Sequence, residues 1–109
     1  MGYDEGLATR VRDLVAGRPD IDEKRMFGGI CLLSRGNMVA GILGDELMAR
    51  VGPERYEEAL GRPHARVMDF THRPMRGFVA VGREGIASDE DLAAWLDLCF
   101  AFVDTLPAK

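Results

Sequence analysis

The sequence predicts an α+β domain of two layers, in which helices flank an antiparallel sheet of about five strands. Two observations predict it. The first and last segments repeat apolar residues every three or four positions, which is typical of amphipathic helices. Most of the chain between them consists of short apolar runs separated by glycine-containing turns, which is typical of strands joined by hairpins. The expected order is α-β-β-β-α-β-β-α, and residues 1–109 form a single domain.

The N-terminal helix is predicted from an apolar stripe with charged residues between its members. Gly17 and Pro19 should end this helix, because glycine accepts a left-handed cap and proline cannot continue the backbone hydrogen bonds. One helix face should therefore be buried and the other solvated. The stripe consists of Tyr3, Leu7, Val11, Leu14 and Val15.

Three antiparallel strands are predicted next, joined by tight turns that contain glycine. In the third strand Leu47, Ala49 and Val51 share one face, while the residues between them share the other. One face of the sheet should therefore be covered and the other mixed. The predicted strands are Met26–Leu33, Met38–Leu43 and Glu46–Val51.

The second half of the chain begins with a short helix that Gly52-Pro53 should open, since proline suits the first helical position. Two further strands are predicted, Ala65–Met68 and Gly77–Val81. The segment 69–76 between them is expected to be a loop, because its proline and charges disfavour continuous pairing.

The last helix has a clear predicted start. Ser88 is followed three residues later by Asp91, a pair that resembles a capping box, and neighbouring acids complement the helix dipole. Pro107 should close the helix. Its apolar stripe consists of Leu92, Trp95, Leu96, Cys99, Phe102, Val103 and Leu106.

Composition and charge exclude several classes of function. The 14 basic residues are outnumbered by 18 acidic ones, and the net charge of −4 argues against direct nucleic-acid binding as the main activity. No apolar run approaches the roughly 20 residues that span a bilayer. The N-terminus is too polar for a signal peptide. We therefore expect a cytoplasmic protein with no membrane partner.

Residues with catalytic or metal-binding chemistry are scarce. Ser34 and Ser88 have structural explanations in a turn and a helix cap. His64 and His72 have no third nitrogen or sulfur donor with which to complete a zinc site. No glycine motif matches a nucleotide-binding loop. Cys31 and Cys99 lie among apolar neighbours and are expected to be buried thiols, so we predict no catalytic residue, no cofactor and no metal.

One segment runs against the acidic average. Basic residues concentrate from Arg62 to Arg76 around a single acid, Asp69, whereas residues 84–104 carry six acids and no base. A polarised surface of this kind could dock an oppositely charged partner. The basic residues are Arg62, His64, Arg66, His72, Arg73 and Arg76; alternatively they pair with acids of the neighbouring helix, Glu54, Glu57 and Glu58.

Three segments carry a family resemblance: residues 25–29 (RMFGG), 44–51 (GDELMARV) and 68–77 (MDFTHRPMRG). With the Asp-Leu-Ala-Ala-Trp pattern at 91–95, they make the chain similar to the TfoX/Sxy family, as a TfoX N-terminal domain standing alone. The resemblance extends from about Leu7 to Leu106. His72 stands where the family pattern has glycine, which would strain a special backbone angle there.

The resemblance implies a curved antiparallel sheet flanked by helices, similar to secretion-chaperone-like folds. Two-domain relatives regulate competence genes together with the cyclic-AMP receptor protein and carry an additional C-terminal domain. The chain ends at Lys109, so the competence role is not expected to transfer directly. The resemblance favours a regulatory or adaptor domain that acts through protein–protein contacts in transcription regulation.

The hypothesis for the interaction surface combines a sheet face with the loop after the fourth predicted strand. Arginine, methionine and aromatic residues recur in the family-like segments, and such residues are common at interfaces. The predicted surface consists of Arg25, Phe27, Arg50, Asp69, Arg73, Pro74 and Met75. Two structural alternatives stay open. Met26, Phe27, Phe70 and Met75 could simply pack in the core, and Arg50 could form a buried ion pair with Asp69.

Further functional alternatives belong to other classes. A small nucleic-acid-associated protein would use the Arg62–Arg76 basic loop to contact phosphate. A small-ligand site would require a deep pocket lined by His64, His72, Asp69 and Arg50. A homodimer is a further alternative partner arrangement, because an open sheet leaves edge strands unpaired.

Overall fold

The computed structural model describes the backbone of residues 3–26, 28–70 and 73–109, and the side chains in these ranges except those of 69–70 and 73–75. Within these ranges the fold is α+β, as predicted. One antiparallel sheet has the strand order β1-β2-β3-β4-β6-β5, and three α-helices and one 3-10 turn accompany it. The elements are α1 Glu5–Leu14, β1 Ile21–Met26, β2 Gly29–Ser34, β3 Asn37–Leu43, β4 Glu46–Arg50, α2 Tyr56–Leu60, β5 Ala65–Phe70, β6 Arg73–Val81, the 3-10 turn Arg83–Ile86 and α3 Asp89–Val103.

The described sheet has six strands rather than about five, because an additional strand, β1, precedes the predicted strand Met26–Leu33, which corresponds to β2. The chain turns at Gly28, which has a φ of +76°, so that β1 and β2 pair as a hairpin. The sequence prediction missed β1 for a physical reason. All of its residues after Ile21 are exposed, so it shows no alternation of apolar and polar positions.

The segment 69–76, predicted as a loop, mostly continues the sheet. Asp69 pairs with Pro74 and Phe70 with Arg73, so β5 and β6 remain paired up to Phe70 and Arg73. Residues 71–72, which connect the two strands, lie outside the described residues. Proline is tolerated there because β4 pairs with β6 only from Phe78 to Val81. The residues of β6 before Phe78 therefore pair with β5 alone and need backbone donors on that side only.

The two N-terminal helices differ from prediction in their limits. α1 begins after Asp4, whose carboxylate accepts a hydrogen bond from the Leu7 N–H at 3.1 Å. Leu14, predicted in the buried stripe, is 41% exposed. α2 begins at Tyr56, so Pro53 precedes the helix rather than occupying its first position.

The start of α3 is as predicted. The Ser88 hydroxyl accepts a hydrogen bond from the Asp91 N–H at 3.0 Å. The helix ends at Val103, so Leu106 follows it instead of extending its stripe. At 15 residues α3 is the longest helix in the described ranges. No helix there combines the length and the apolar character needed to cross a membrane.

The helices contribute to one side of the sheet only. The main core cluster combines residues of all three helices with one face of the strands; in β4 these are Leu47 and Ala49. Val39 and Ala40 both enter this core, because a bulge in β3 opposite Leu32 and Leu33 places two consecutive residues on the same side. A second, smaller cluster on the other face contains strand residues alone.

Candidate interaction surface

The second cluster lies on the sheet face opposite the helices. Its buried members are Met48, Met68 and Ala80. Met48 comes from β4 between the core residues Leu47 and Ala49, and strand alternation therefore directs it to the other face. Because no described helix residue belongs to this cluster, strands alone build the surface.

Three half-buried apolar side chains bring this cluster to solvent: Met38, Leu43 and Phe78. A groove of about 270 Å³ opens beside them between β4 and β5, lined by Leu43, Met48 and Met68 among others. Methionine is unbranched and polarizable, so it can adapt its shape to different apolar partners. The face thus offers an apolar, deformable surface at the centre of the sheet.

Gly41 gives Met48 the room that it occupies. A β-carbon on Gly41 would lie 2.8 Å from the terminal methyl carbon of Met48, closer than carbon atoms approach without displacement. The glycine therefore lets the methionine lie flat across β3. Close packing against Met48 therefore explains the glycine at position 41.

A charged pair borders the groove. Arg66 of β5 donates a hydrogen bond to the carboxylate of Glu46 in β4, and this contact raises the pKa of the Arg66 guanidinium. Both residues lie on the face of the second cluster, since Arg66 pairs with Ala80 and Glu46 alternates with Leu47. The pair gives the apolar groove a polar rim, an arrangement typical of protein interfaces.

Arg50 links the two sides of the sheet at the end of β4. Its guanidinium donates a hydrogen bond to the Met38 carbonyl at 3.2 Å. The same group lies 5.7 Å from the ring centre of Phe78 and 5.3 Å from that of Phe102 in α3. These distances are within the range of cation–π attraction. Arg50 therefore has a structural role in joining β4 to α3, and its half-buried position also borders the second face.

The residues predicted for an interaction surface do not all meet. Arg25 is exposed on β1, whereas Arg50 is on β4, three strand spacings or about 14 Å across the sheet. The backbones of Asp69 and Pro74 pair at the far end of β5 and β6. Phe27 lies outside the described residues. The side chains of Asp69, Arg73, Pro74 and Met75 lie outside them as well, so the predicted Arg50–Asp69 ion pair stays a prediction.

The basic segment Arg62–Arg76 is not a single loop. Arg66 lies in β5, as the predicted strand Ala65–Met68 implies, whereas Arg76 lies in β6, where the sequence predicted a loop. The Arg62 guanidinium is 5.3 Å from the ring centre of Trp95, and that of Arg76 is 6.0 Å from the ring centre of Tyr56. Together with the Glu46 contact of Arg66, these interactions give all three arginines structural partners.

Of the two histidines, His72 lies outside the described residues. His64 has a φ of +66°, and its Nδ1 atom lies 3.8 Å from the exposed carboxylate of Glu84, in a groove whose lining does not include Arg50. Cys31 and Cys99 are buried, as predicted, and burial raises the pKa of both thiols, that of Cys99 to about 12. In the part of the chain that the structure describes, no three potential ligands among His, Cys, Asp and Glu cluster as a metal site would require.

The sequence-based hypothesis includes Arg50 of this face but does not identify the apolar cluster on it. It assigns Met38, Leu43 and Phe78 to strands without a role and places Met48 only on the mixed face of its strand. The available signal was the alternation from Glu46 to Val51, which separates Met48 from the core residues. Recognising the cluster also requires the pairing of β4 with β6, which brings Ala80 beside Met48.

Comparison with known proteins gives one family. No curated protein matches the chain significantly, and no solved structure does so. A family model of the TfoX N-terminal domain matches residues 13–103, from the last two residues of α1 to the end of α3. That range includes every strand of the described sheet. The chain therefore belongs to the TfoX N-terminal domain family.

Proposed function

We propose that this chain is a non-catalytic regulatory or adaptor domain that binds a protein partner through the sheet face opposite the helices. The observation that carries the proposal is the strand-built apolar cluster around Met48, with half-buried Met38, Leu43 and Phe78 at its surface. An apolar centre with the polar Glu46–Arg66 rim is the usual anatomy of such interfaces. The family membership supports the same role, since the sequence resembles domains of competence and transcription regulators.

The expected partner is a protein segment that presents apolar side chains. Methionine-rich surfaces can repack around different partners, which suits an adaptor. Arg50 supports this surface by holding the Met38 carbonyl at 3.2 Å and thereby positioning that strand end. The predicted residues Arg73, Pro74 and Met75 form the first part of β6, before Phe78. We propose that they enlarge the same surface.

Site-specific photo-crosslinking tests the proposed surface. A photoreactive phenylalanine analogue is placed at Leu43, on the second face, and in a matched control at Leu14, an exposed leucine of α1. We expect crosslinks from Leu43 to a defined protein in the native cytosol and none to that protein from Leu14. The captured protein is then purified, and its affinity for the wild type and for Met38→Glu is compared by calorimetry.

The results that would contradict the proposal are specific. Equal crosslinking from both positions, or unchanged affinity of the purified partner for Met38→Glu, would exclude the second face as the docking site. The melting temperatures of Met38→Glu and of the two photoreactive variants show whether each retains the fold. Crosslinks to nucleic acid from Leu43, with an affinity that falls steeply with salt, would instead support the nucleic-acid alternative.

A further inference from the structure

β1 is an open edge of the sheet with unusually regular pairing. It matches β2 over six consecutive residues, whereas the β2–β3 and β5–β6 registers contain shifts. In the described part of the chain no strand pairs with its outer side. Half of its backbone N–H and C=O groups therefore face solvent. Edge strands are commonly protected by a proline, a bulge or charged side chains. β1 has no proline and no bulge, and its protection against unspecific pairing rests on its four charged residues.

The charges of β1 are ordered along the strand. Asp22 and Glu23 come first, and Lys24 and Arg25 follow. A second copy that runs antiparallel would set its basic half against the acidic half of the first. A parallel copy would set like charges against each other, and directly opposed like charges destabilise a strand pair. The order of charges therefore favours one orientation of one partner, a second copy of the same strand.

We propose that β1 is a dimerisation edge, through which two copies of this domain join their sheets by antiparallel β1–β1 pairing. A twofold axis perpendicular to the sheet keeps the helices of both copies on the same side. Opposed residues must then point to the same face, which restricts the register. This pairing is independent of the proposed docking function, because it uses the sheet edge rather than the second face.

The side-chain faces of β1 select the register. Glu23 and Arg25 share the helix-bearing face, since they pair with Leu32 and Ile30, which contact the main core. With Lys24 on the axis, Glu23 of each copy opposes Arg25 of the other, which places two attractive pairs across the interface. The two Lys24 side chains meet on the opposite face, where long side chains can extend into water.

Arg12 of α1 holds the Glu23 carboxylate on the helix-bearing face. Its guanidinium contacts both carboxylate oxygens of Glu23 at 2.7 and 2.9 Å, and these hydrogen bonds lower the pKa of Glu23. Glu23 is thereby held ionised on the helix-bearing face, where Arg25 of the second copy would oppose it. The register with Glu23 on the axis would instead set the two Glu23 carboxylates directly against each other.

Sedimentation velocity over a range of concentrations tests the association. We expect the wild type to dimerise and Arg25→Glu to raise the dissociation constant about tenfold, since two attractive pairs become repulsive. The triple variant Arg12→Glu with Glu23→Arg and Arg25→Glu exchanges these charges while keeping an ion pair between α1 and residue 23, and it should restore dimerisation. Arg55→Glu is the matched control. Arg55 is an exposed arginine at the start of α2, a helix that contacts β5 and β6 at the sheet edge opposite β1. The substitution should leave the dissociation constant unchanged.

Disulfide trapping tests the register. Lys24→Cys places two thiols opposite each other across the axis, and we expect oxidation to give a covalent dimer. Glu23→Cys should not crosslink. Both cysteine variants also carry Cys31→Ala, because Cys31 is the β2 partner of residue 24 and would otherwise capture the Lys24→Cys thiol within one copy. Cys99 is buried in the main core. The proposed pairing is overturned by any of three results: a wild type that stays monomeric at about 1 mM, an Arg25→Glu variant that associates like the wild type, or crosslinking through Glu23→Cys in place of Lys24→Cys.

Discussion

Arg50 is the residue whose role the structure clarifies most. The sequence suggested it as part of an interaction surface or as one half of a buried ion pair, and the described contacts add a third role, between β4 and α3. Its side chain reaches the Met38 carbonyl and the rings of Phe78 and Phe102, while its backbone lies beside the thiol of Cys99. One residue thus contributes to both faces of the sheet.

Replacing Arg50 by alanine should lower the free energy of unfolding by about 2 kcal/mol, from the loss of a charge-assisted hydrogen bond and two aromatic contacts. Arg50→Lys should recover only part of this loss, because an ammonium group lacks the planar guanidinium. Urea unfolding of the three proteins measures both effects. Equal stability of wild type and Arg50→Ala would show that Arg50 is not a structural link.

The buried thiol of Cys99 should make the folded protein less stable at alkaline pH. Burial raises the pKa of its thiol from 9.0 to about 12, whereas the nearby Arg50 backbone lowers it by less. The unfolded chain therefore releases this proton at lower pH than the folded chain, so the contribution is complete below pH 9 and is lost as the pH rises toward 12.

We accordingly expect the free energy of unfolding to fall above pH 9, with Cys99 contributing up to about 1.4 kcal/mol per pH unit. Cys99→Ala should show a shallower decline over the same range. Urea titrations at several pH values compare the two slopes. Parallel slopes in wild type and variant would mean that the Cys99 thiol does not contribute.

At the scale of elements, the junction after β4 depends on two glycines. Gly52 has a φ of +85° and Gly77 a φ of +91°. The N–H groups of Val51 and Gly52 both donate to the Gly77 carbonyl, at 2.8 and 3.1 Å. The Phe102 ring lies where a β-carbon of Gly52 would be. The close contact of this junction with α3 therefore requires a residue without a side chain.

Gly52→Ala should consequently destabilise the protein by roughly 2–4 kcal/mol, from backbone strain and from collision with the Phe102 ring. Gly17→Ala is the matched control, because no atom lies within 4 Å of its β-carbon position and its φ is not in the left-handed region. We expect the control to change the unfolding energy by less than about 0.5 kcal/mol. Thermal unfolding distinguishes the two, and similar melting temperatures for both variants would contradict this account.

The secondary elements were predictable where burial is one-sided. The Ser88 cap and the apolar stripe of α3 are local signals, and alternation along β4 separates Leu47 from Met48 without knowledge of its neighbours. β1 could not be found in the same way, because its residues after Ile21 are exposed. Its extended conformation depends on hydrogen bonds to β2, and such bonds leave no pattern in the side chains.

For the whole molecule, the sheet provides three distinct surfaces. The helices cover one face and form the main core, the strand-built cluster occupies the other face, and β1 presents its backbone at one edge. The proposed partner protein and the proposed second copy therefore use different surfaces and could bind at the same time. Crosslinking at Leu43 and sedimentation of Arg25→Glu report on them separately.

The sequence alone determined the α+β class, the family resemblance, the Ser88 cap of α3 and the burial of both cysteines, because each depends on local periodicity or residue type. Tertiary structure decided how the surfaces are composed. Pro74 is accommodated in a strand only because β4 ends before reaching it. Met48 and Ala80 became one cluster only through strand pairing. Contacts between residues distant in sequence depend on register, which the periodicity of a single segment does not specify.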